Sequence, residues 1–295
     1  MYEFLFRKEL TMRMRHDKIW ISGSTGRLGS AMTRLLDPLD AEIVATDERQ
    51  VDITNQADVS TFVDRLRPNI IINCSGLTNR NKCQANPDQA FLLNSIGARN
   101  IAIASNRCNA KVIQLSTADV FDGKASKPYT EFDQVNPINV YGKSKYEGEE
   151  YVRQFCPNHF IIRVSRLYSR ERGLVENILD QAKEGKIIVP KDLYASPTSA
   201  YELAQFLIEL MDTNSFGTFH ASGQGYTSIK GFAEEILNFT GLDAEIVEAI
   251  DEENIEFNPG FMALEDYVLK IMGRYELPHW KDMIDDYIKR EGLDG

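Results

Sequence analysis

The segment from Lys18 to Leu36, KIWISGSTGRLGSAMTRLL, limits the possible folds of this chain more than any other. It begins with a short apolar run, continues through a turn with three glycines, and ends with apolar residues at helical spacing. Glycines at such a turn let backbone N–H groups approach a pyrophosphate and let the helix pack closely on the sheet. The N-terminus of the helix adds partial positive charge. The segment therefore predicts a strand–turn–helix unit that binds a dinucleotide.

Strand and helix patterns alternate from this unit as far as Ser165. Strand-like apolar runs occur at AEIVATD, NIIINCSG, KVIQLSTADVF and HFIIRVS, and helical patterns separate them. Continuously apolar strands suit a parallel sheet that is covered by helices on both faces. The alternation predicts an α/β fold, with a Rossmann-like doubly wound parallel sheet over residues 18–165.

The pattern changes after Ser165. Helical stretches at LVENILDQAKEG, AYELAQFLIELMD and IKGFAEEILNFTG are separated by short segments such as KIIVP and GTFHAS. We expect residues 166–295 to form a smaller, mixed C-terminal lobe for the substrate, with some segments returning to the Rossmann core. Residues 1–17 lack the apolar region and cleavage site of a secretory signal, and we expect a flexible tail there.

Composition and charge limit the classes of partner that this protein can bind. The chain has 295 residues, of which 43% are hydrophobic and 26% charged, and its formal net charge is −11. This charge disfavours a nucleic-acid-binding surface, and no apolar run reaches the roughly 18 residues of a membrane span. The four cysteines and four histidines lack the spacing of a disulfide framework or a metal site. We therefore expect a cytoplasmic protein without a metal, whose partner is a small molecule.

A tyrosine and a lysine four residues apart are the candidate catalytic pair. Tyr141 and Lys145 lie in NVYGKSK, and residues i and i+4 are neighbours on a helix, where such a pair also fits a solvated surface. Reduction of a ketone by hydride requires a proton for the oxygen, and a nearby cation makes a phenol a better acid by lowering its pKa. Thr117, at a strand end, either donates a hydrogen bond to the ketone or only satisfies the strand terminus.

Longer stretches resemble the dTDP-4-dehydrorhamnose reductase family. The GxxGxxG and YxxxK spacings are typical of extended short-chain dehydrogenases, and the closer resemblance rests on RPNIIINCSG, STADVFDG, KPYTEFDQVNPINVYGKSKYEGE, SPTSAYELA and ELPHWKDMIDDYIK. It runs from about Lys18 to about Lys289. The resemblance implies an NAD(P)H-dependent reductase of a 4-keto-6-deoxy sugar nucleotide in surface polysaccharide or glycan synthesis. It also implies that Tyr141 donates the proton, Thr117 orients the ketone and Lys145 binds the nicotinamide ribose.

The predicted cofactor contacts follow the strand ends. Asp47 ends the second strand, where a carboxylate binds the adenosine ribose and favours NAD, whereas Arg27 or Arg49 could pair with the 2′-phosphate of NADP. Asp52 and Ile53 border the adenine in the family or only precede a helix cap. The predicted cofactor-binding residues are Gly23, Thr25, Gly26, Arg27, Leu28, Gly29, Asp47, Asp52, Ile53, Cys74, Ser75, Gly76, Tyr141, Lys145, Val164 and Ser165.

Three positions on the substrate side depart from the family pattern. The chain has Thr117-Ala118-Asp119 where the family has Thr-Asp-Tyr, Arg166 where Trp is common, and Asn258-Pro259-Gly260-Phe261-Met262 in place of a segment with arginine. We predict that Ala118, Asp119 and Arg166 bind the substrate. A more polar pocket suits a different 4-keto sugar or nucleotide carrier, with Arg166 acting as an anion clamp or only covering apolar surface.

Two other functions stay open from the sequence. The first is an NAD-dependent epimerase or dehydratase of sugar nucleotides, which needs a further acid/base residue near Thr117, and Asp119 is a candidate. The second is a non-catalytic dinucleotide-binding protein that resembles the regulatory subunit of methionine adenosyltransferase. The presence of Thr117, Tyr141 and Lys145 favours an enzyme. The sequence is also compatible with a homodimer.

Overall fold

The computed structural model describes residues 17–36, 41–170, 173–250, 259–273 and 276–293. Within them the chain forms two compact units of three segments each. The first unit comprises the described residues up to Ser116, Lys143–Ile162 and Ala204–Thr218, and the second comprises Thr117–Gly142, Arg163–Leu203 and the chain from Phe219 onward. The expectations for residues 1–16 and for Asn258 lie outside the described residues.

A six-stranded sheet is the centre of the fold. In chain order, the strands are β1 (Lys18–Ser22), β2 (Glu42–Thr46), β3 (Ile70–Asn73), β4 (Lys111–Thr117), β5 (His159–Val164), β6 (Leu167–Tyr168), β7 (Lys186–Pro190), β8 (Tyr194–Ala195), β9 (Thr198–Ser199), β10 (Gly217–His220), β11 (Thr227–Ser228), β12 (Glu245–Ala249) and β13 (Phe261–Met262). The central order is β10-β5-β4-β3-β1-β2, and β1 pairs in parallel with both β2 and β3, as does β3 with β4. The predicted α/β fold with a parallel sheet is confirmed.

The α-helices of the described residues include one within each of the three stretches predicted to be helical after Ser165. They are α1 (Arg27–Leu36), α2 (Gln56–Leu66), α3 (Arg80–Ala85), α4 (Pro87–Phe91), α5 (Gly97–Cys108), α6 (Val140–Phe155), α7 (Leu174–Lys183), α8 (Ala200–Met211), α9 (Ile229–Thr240), α10 (Tyr267–Ile271) and α11 (Trp280–Glu291). A π-helical turn, Leu92–Ile96, joins α4 to α5. In the described part of the chain, no helix has the length and apolar character to cross a bilayer.

The core of the first unit fixes the carboxyl ends of its strands. Val59 and Val63 lie one turn apart on α2 and pack with Trp20 of β1 and Ile71 of β3. The indole N–H of Trp20 donates to the hydroxyl of Thr46 at 2.9 Å, which ties β1 to the end of β2. Burying large apolar side chains in this way is the main favourable contribution to folding. This core therefore holds in place the strand ends from which the turns after β1, β2 and β3 begin.

The short strands outside the central sheet belong to the second unit. They form one sheet in the order β11-β8-β13 and two pairs, β12 with β7 and β6 with β9. The segment GTFHAS, which the sequence places in the C-terminal half, instead supplies β10 to the edge of the central sheet.

Candidate functional site

The turn after β1 has the geometry of a phosphate-binding loop. Gly23 has a φ of 68°, in the left-handed region that favours glycine, and a Cβ there would lie 2.7 Å from the backbone nitrogen of Ser75. A Cβ on Gly29 would lie 2.3 Å from the carbonyl oxygen of Gly23. The turn can therefore lie against α1 because Gly29 lacks a side chain, and against the segment after β3 because Gly23 lacks one. The turn leads directly into the N-terminus of α1, whose partial positive charge suits a dinucleotide pyrophosphate.

Three further predicted residues, Thr25, Arg27 and Leu28, lie in this turn or at the start of α1. The N–H of Gly26 donates to the carbonyl of Gly23 at 3.1 Å and closes the turn. Thr25 is exposed, Arg27 is the first residue of α1, and Leu28 is buried on that helix. These three residues are thus next to the proposed phosphate position, and their contact with a cofactor stays a prediction.

Asp47 follows β2 beside the glycine turn. The N–H of Ser24 donates to the carbonyl of Thr46, the last residue of β2, at 3.1 Å. The Asp47 Oδ1 accepts the N–H of Arg49 at 2.9 Å, and the N–H of Asp47 donates to the side chain of Gln50 at 3.0 Å. A half-buried carboxylate is thus held at the carboxyl edge of the sheet, where a ribose-binding acid is expected.

Asp52 and Ile53 have clear structural contacts. The Oδ1 of Asp52 accepts both the N–H and the hydroxyl of Thr54, at 2.9 and 2.7 Å. Ile53 is buried in the core, and a Cβ on Gly97 would lie 2.6 Å from its Cδ1. The residue that caps α2 is Asn55, whose side chain accepts two backbone N–H groups. Contact of Asp52 and Ile53 with an adenine stays a prediction.

The small residues after β3 bring the backbone close to Lys145. Burial raises the pKa of Cys74 to about 12, so this thiol is neutral at ordinary pH. The N–H of Ser75 donates to the side chain of Asn73 at 3.2 Å. A Cβ on Gly76 would lie 3.7 Å from the Nζ of Lys145 and 2.9 Å from Asn94 Oδ1. The structure therefore brings together two predicted site residues that are 69 positions apart, Gly76 and Lys145.

Helix α6 carries the predicted catalytic pair. Tyr141 lies in the first turn and is half-buried, and Lys145 lies one turn later and is only 4% exposed. Burial lowers the pKa of Lys145 to about 8, while the negative charge of Glu149 acts in the opposite direction and raises it. Lys145 is therefore still mainly an ammonium group at neutral pH.

The π-helical turn Leu92–Ile96 holds α6 through hydrogen bonds to Ser144, the residue before Lys145. Asn94 is buried, and its Nδ2 donates to the hydroxyl of Ser144 at 2.9 Å and to the carbonyl of Leu77 at 3.0 Å. The hydroxyl of Ser95 donates to the carbonyl of Ser144 at 2.8 Å. The π turn directs both side chains to one helix, in keeping with the occurrence of such turns at functional sites. Asn94 was not predicted, and its signal was a polar residue within the apolar run FLLNSI.

A buried chain of hydrogen bonds connects Thr117 to the start of α6. The Thr117 hydroxyl donates to Asp119 Oδ2 at 3.1 Å, and Asn139 Nδ2 donates to Asp119 Oδ1 at 3.0 Å. The Oδ1 of Asn139 accepts the N–H of Gly142 at 2.7 Å. Asn139 was also not predicted, although asparagine directly before a helix is a capping signal. Ala118 is buried in the short turn between Thr117 and Asp119.

The residues after β5 are held by the second unit. Val164 and Ser165 are buried, and the N–H of Ser165 donates to the hydroxyl of Ser222 at 3.0 Å. The Oγ of Ser165 accepts the N–H of Ser196 at 3.3 Å. Arg166 has a φ of 44°, a left-handed conformation that is uncommon for residues with side chains and that recurs at functional sites. The assignments of these residues to nicotinamide and substrate stay predictions.

Comparisons with known proteins identify relatives over nearly the whole chain. The model of the family described as RmlD substrate binding domain matches residues 17–292. The spore coat polysaccharide biosynthesis protein SpsK of Bacillus subtilis is 31% identical over 276 residues, which cover 92% of this chain and 97% of that protein.

Solved structures give the same result. A dTDP-4-dehydrorhamnose reductase from Clostridium acetobutylicum aligns with a TM-score of 0.90 at 34% identity and covers 93% of this chain and 99% of its own. A dTDP-4-dehydrorhamnose reductase from Bacillus anthracis, in complex with NADP, aligns with a TM-score of 0.90 at 32% identity and the same coverage.

Proposed function

Since the chain belongs to the RmlD substrate binding domain family, we propose that it is an NAD(P)H-dependent reductase of a 4-keto-6-deoxy sugar nucleotide. The observation that carries this proposal is the placement of Tyr141 and buried Lys145 one turn apart on α6. Relatives named dTDP-4-dehydrorhamnose reductases support the reaction type. The name of the Bacillus subtilis relative supports a role in making precursors of a surface polysaccharide.

The residues of the first unit would hold NAD or NADP. The nicotinamide, when bound, supplies a hydride to the ketone carbon. Gly23 and Gly29 permit the tight turn that precedes α1, and partial positive charge at the N-terminus of this helix favours the anionic pyrophosphate. Asp47 would bind the adenosine ribose, which favours NAD, whereas the relative from Bacillus anthracis binds NADP. Lys145 would donate to the hydroxyls of the nicotinamide ribose.

Tyr141 would deliver the proton. A ketone oxygen gains negative charge as its carbon is reduced, and a phenol next to it can donate a proton in the same step. The ammonium group of Lys145 one turn away stabilises the phenolate that remains, because an opposite charge favours the charged form. Proton transfer of this kind contributes about 10²- to 10⁴-fold to a rate.

The side chains around Thr117 support a second candidate, a sugar-nucleotide epimerase or dehydratase. Thr117 has one hydroxyl proton, and this proton is directed to Asp119. Asp119 is a buried acid, 3% exposed, and is connected to α6 through Asn139. A dehydratase, or an epimerase that removes a proton from a ring carbon, needs an acid/base group beyond the Tyr–Lys pair, and Asp119 would provide one. In the reductase, Asp119 would instead fix the orientation of Thr117.

The test uses the purified protein stripped of nucleotide, NADH and NADPH, and a panel of 4-keto sugar nucleotides that includes dTDP-4-dehydrorhamnose. We expect substrate-dependent oxidation of the reduced cofactor, slowed about 10²- to 10⁴-fold by Tyr141→Phe. Tyr146→Phe, a tyrosine change on the same helix, is the matched control and should leave the rate unchanged.

Two outcomes would count against the reductase. Formation of a new sugar isomer or an unsaturated product without net cofactor oxidation would favour the epimerase or dehydratase. Cofactor binding without turnover of any substrate, together with a second protein that co-purifies, would favour a regulatory subunit.

A further inference from the structure

One turn beyond Lys145, α6 carries a buried acid for which the proposed reaction gives no role. Glu149 is 0% exposed, and it lies four residues after Lys145 on the same side of the helix. Glutamate is almost never fully buried unless it is paired, because its charge loses the stabilisation that water provides. The surroundings of Glu149 therefore compensate for a substantial cost of burial.

Both oxygens of the Glu149 carboxylate are held in place. Oε1 accepts a short hydrogen bond from the hydroxyl of Ser116, near the end of β4. Oε2 accepts a hydrogen bond from Nη2 of Arg153 at 2.8 Å, and the same nitrogen donates to the hydroxyl of Thr218 at 3.0 Å. Arg153 also pairs with Glu150. The hydrogen bond from Ser116 and the ion pair with Arg153 hold the carboxylate of Glu149 in a fixed orientation.

Glu149 is the anion among the titratable groups that act on Lys145. These groups are Glu149 on the same helix, Cys74 after β3, and Cys83 on α3. The thiol of Cys74 is neutral because burial raises its pKa to about 12. The thiol of Cys83 donates to the carbonyl of Leu77 at 3.4 Å. Burial favours the neutral amine of Lys145, and the negative charge of Glu149 is the largest effect that opposes it.

We propose that Glu149 is a positioning residue that, held by Ser116 and Arg153, keeps the Lys145 side chain a cation at neutral pH. This inference rests on the proposed function, because a charged Lys145 matters only if it acts on Tyr141 or on a bound ribose. A buried lysine without a compensating charge releases its proton at a lower pH. Glu149 thus acts on Tyr141 through Lys145, and this role requires no direct contact between Glu149 and the reacting atoms.

The test measures the charge of Lys145 directly. Glu149→Gln keeps the shape of the side chain and an acceptor for Ser116 but removes the negative charge. Glu150→Gln is the matched control, since it removes the neighbouring carboxylate and another partner of Arg153 from the same helix. The titration of Lys145 is followed by NMR of lysine labelled with ¹³C at Cε, and its signal is assigned by its loss in Lys145→Met.

We expect Glu149→Gln to lower the titration midpoint of Lys145 by roughly one pH unit or more, and Glu150→Gln to leave it unchanged. The pH above which ketone reduction declines should fall by the same amount in Glu149→Gln. An unchanged midpoint in Glu149→Gln, or equal shifts in both variants, would overturn the proposal. If the midpoint shifts as expected but the wild-type protein reduces no ketone, the proposed function fails and the role of Glu149 toward Lys145 stands.

A second variant keeps the proposal testable if Glu149→Gln does not fold. Glu149→Asp retains the charge and shortens the side chain, so the midpoint of Lys145 should stay close to that of the wild type. A fall of roughly one pH unit in Glu149→Asp would show that the negative charge is not the cause, and would also overturn the proposal.

Discussion

The glycine turn after β1 and the segment from Thr117 to Asn139 are built in different ways. At the turn, backbone atoms occupy the space of absent side chains, and a Cβ on Gly29 would lie 2.3 Å from the Gly23 carbonyl oxygen. Between Thr117 and Asn139, side chains hold one another through Asp119. A substitution that alters a side-chain hydrogen bond disturbs a fold less than one that forces the backbone to move. We therefore expect the glycine turn, the cofactor side of the site, to tolerate few substitutions. We expect substitutions between Thr117 and Asn139, the substrate side, to change substrate specificity.

The largest expected effect is at Gly29. Gly29→Ala should weaken binding of NADH and NADPH roughly 100-fold, because overpacking of about 1–3 kcal/mol would open the turn. Cofactor fluorescence on titration measures the affinity. The control is Gly185→Ala, where φ is 82° and nothing lies within 4 Å of the added Cβ. That change should lower stability and leave cofactor affinity intact. Equal losses of affinity in the two variants would show that the close approach at Gly29 is unimportant.

A smaller effect on the same side is expected at Asp47. Asp47→Asn should weaken NADH binding about 10-fold and NADPH binding much less, because hydrogen bonds to a charged group are worth about 1.5–3 kcal/mol. Parallel titrations with the two cofactors measure the ratio. If both affinities fall equally, Asp47 supports the loop through the N–H of Arg49 and does not select the cofactor.

On the substrate side, Asp119→Asn should lower kcat/KM for the sugar nucleotide about 10-fold and leave cofactor affinity unchanged, because it disturbs the chain from Thr117 to Asn139. Asp122→Asn in the same segment is the control. Asp122 accepts the hydroxyl of Tyr129 at 2.8 Å, so its loss should affect stability rather than substrate preference. A fall in cofactor affinity in Asp119→Asn would contradict the separation of the two sides.

The smallest effect concerns stability. Burial raises the pKa of Asp266 well above its ordinary value, so the folded protein keeps a proton that the unfolded chain releases. The resulting stabilisation is complete below the unfolded pKa of about 3.9 and is lost as the pH rises through the folded pKa. Asp266→Asn resembles the protonated acid and keeps an acceptor for the N–H of Ser222. Its melting temperature should exceed that of the wild type at neutral pH and match it near pH 4.

A lower melting temperature for Asp266→Asn at neutral pH would contradict this prediction. Such a result would mean that the carboxylate form of Asp266 stabilises the second unit. Substitution of other buried acids in that unit, such as Asp119, would then be expected to destabilise the protein as substitution of the turn glycines does.

Much of the fold could be predicted because its signals are local. The strands β1, β2, β3 and β5 lie within the apolar runs that the sequence shows, and α6 begins next to the Tyr–Lys pair. The predicted family is confirmed by the family model and by solved reductases. The strand predicted over 111–121 ends earlier, at Thr117, because the Thr117 hydroxyl accepts the N–H of Asp119 and starts a turn.

The unpredicted part of the site depends on partners that are distant in the chain. Asn94 contacts Ser144, which lies 50 residues later, and Glu149 contacts Ser116, which lies 33 residues earlier. Local periodicity carries no information about such pairs. Tyr141 and Lys145 could be found because their spacing of four is itself local.

The central claim is that this chain transfers a hydride from a nicotinamide to a sugar ketone, with Tyr141 as the proton donor. The most direct measurement uses NADPH and NADH with deuterium in place of both hydrogens at C4 of the nicotinamide, the 4-keto sugar nucleotide of the panel that is reduced fastest, and NMR of the product. We predict one deuterium at C4 of the sugar for each cofactor oxidised, at a rate that falls about 10²- to 10⁴-fold in Tyr141→Phe. A product without deuterium, or a rate that Tyr141→Phe leaves unchanged, would contradict the claim.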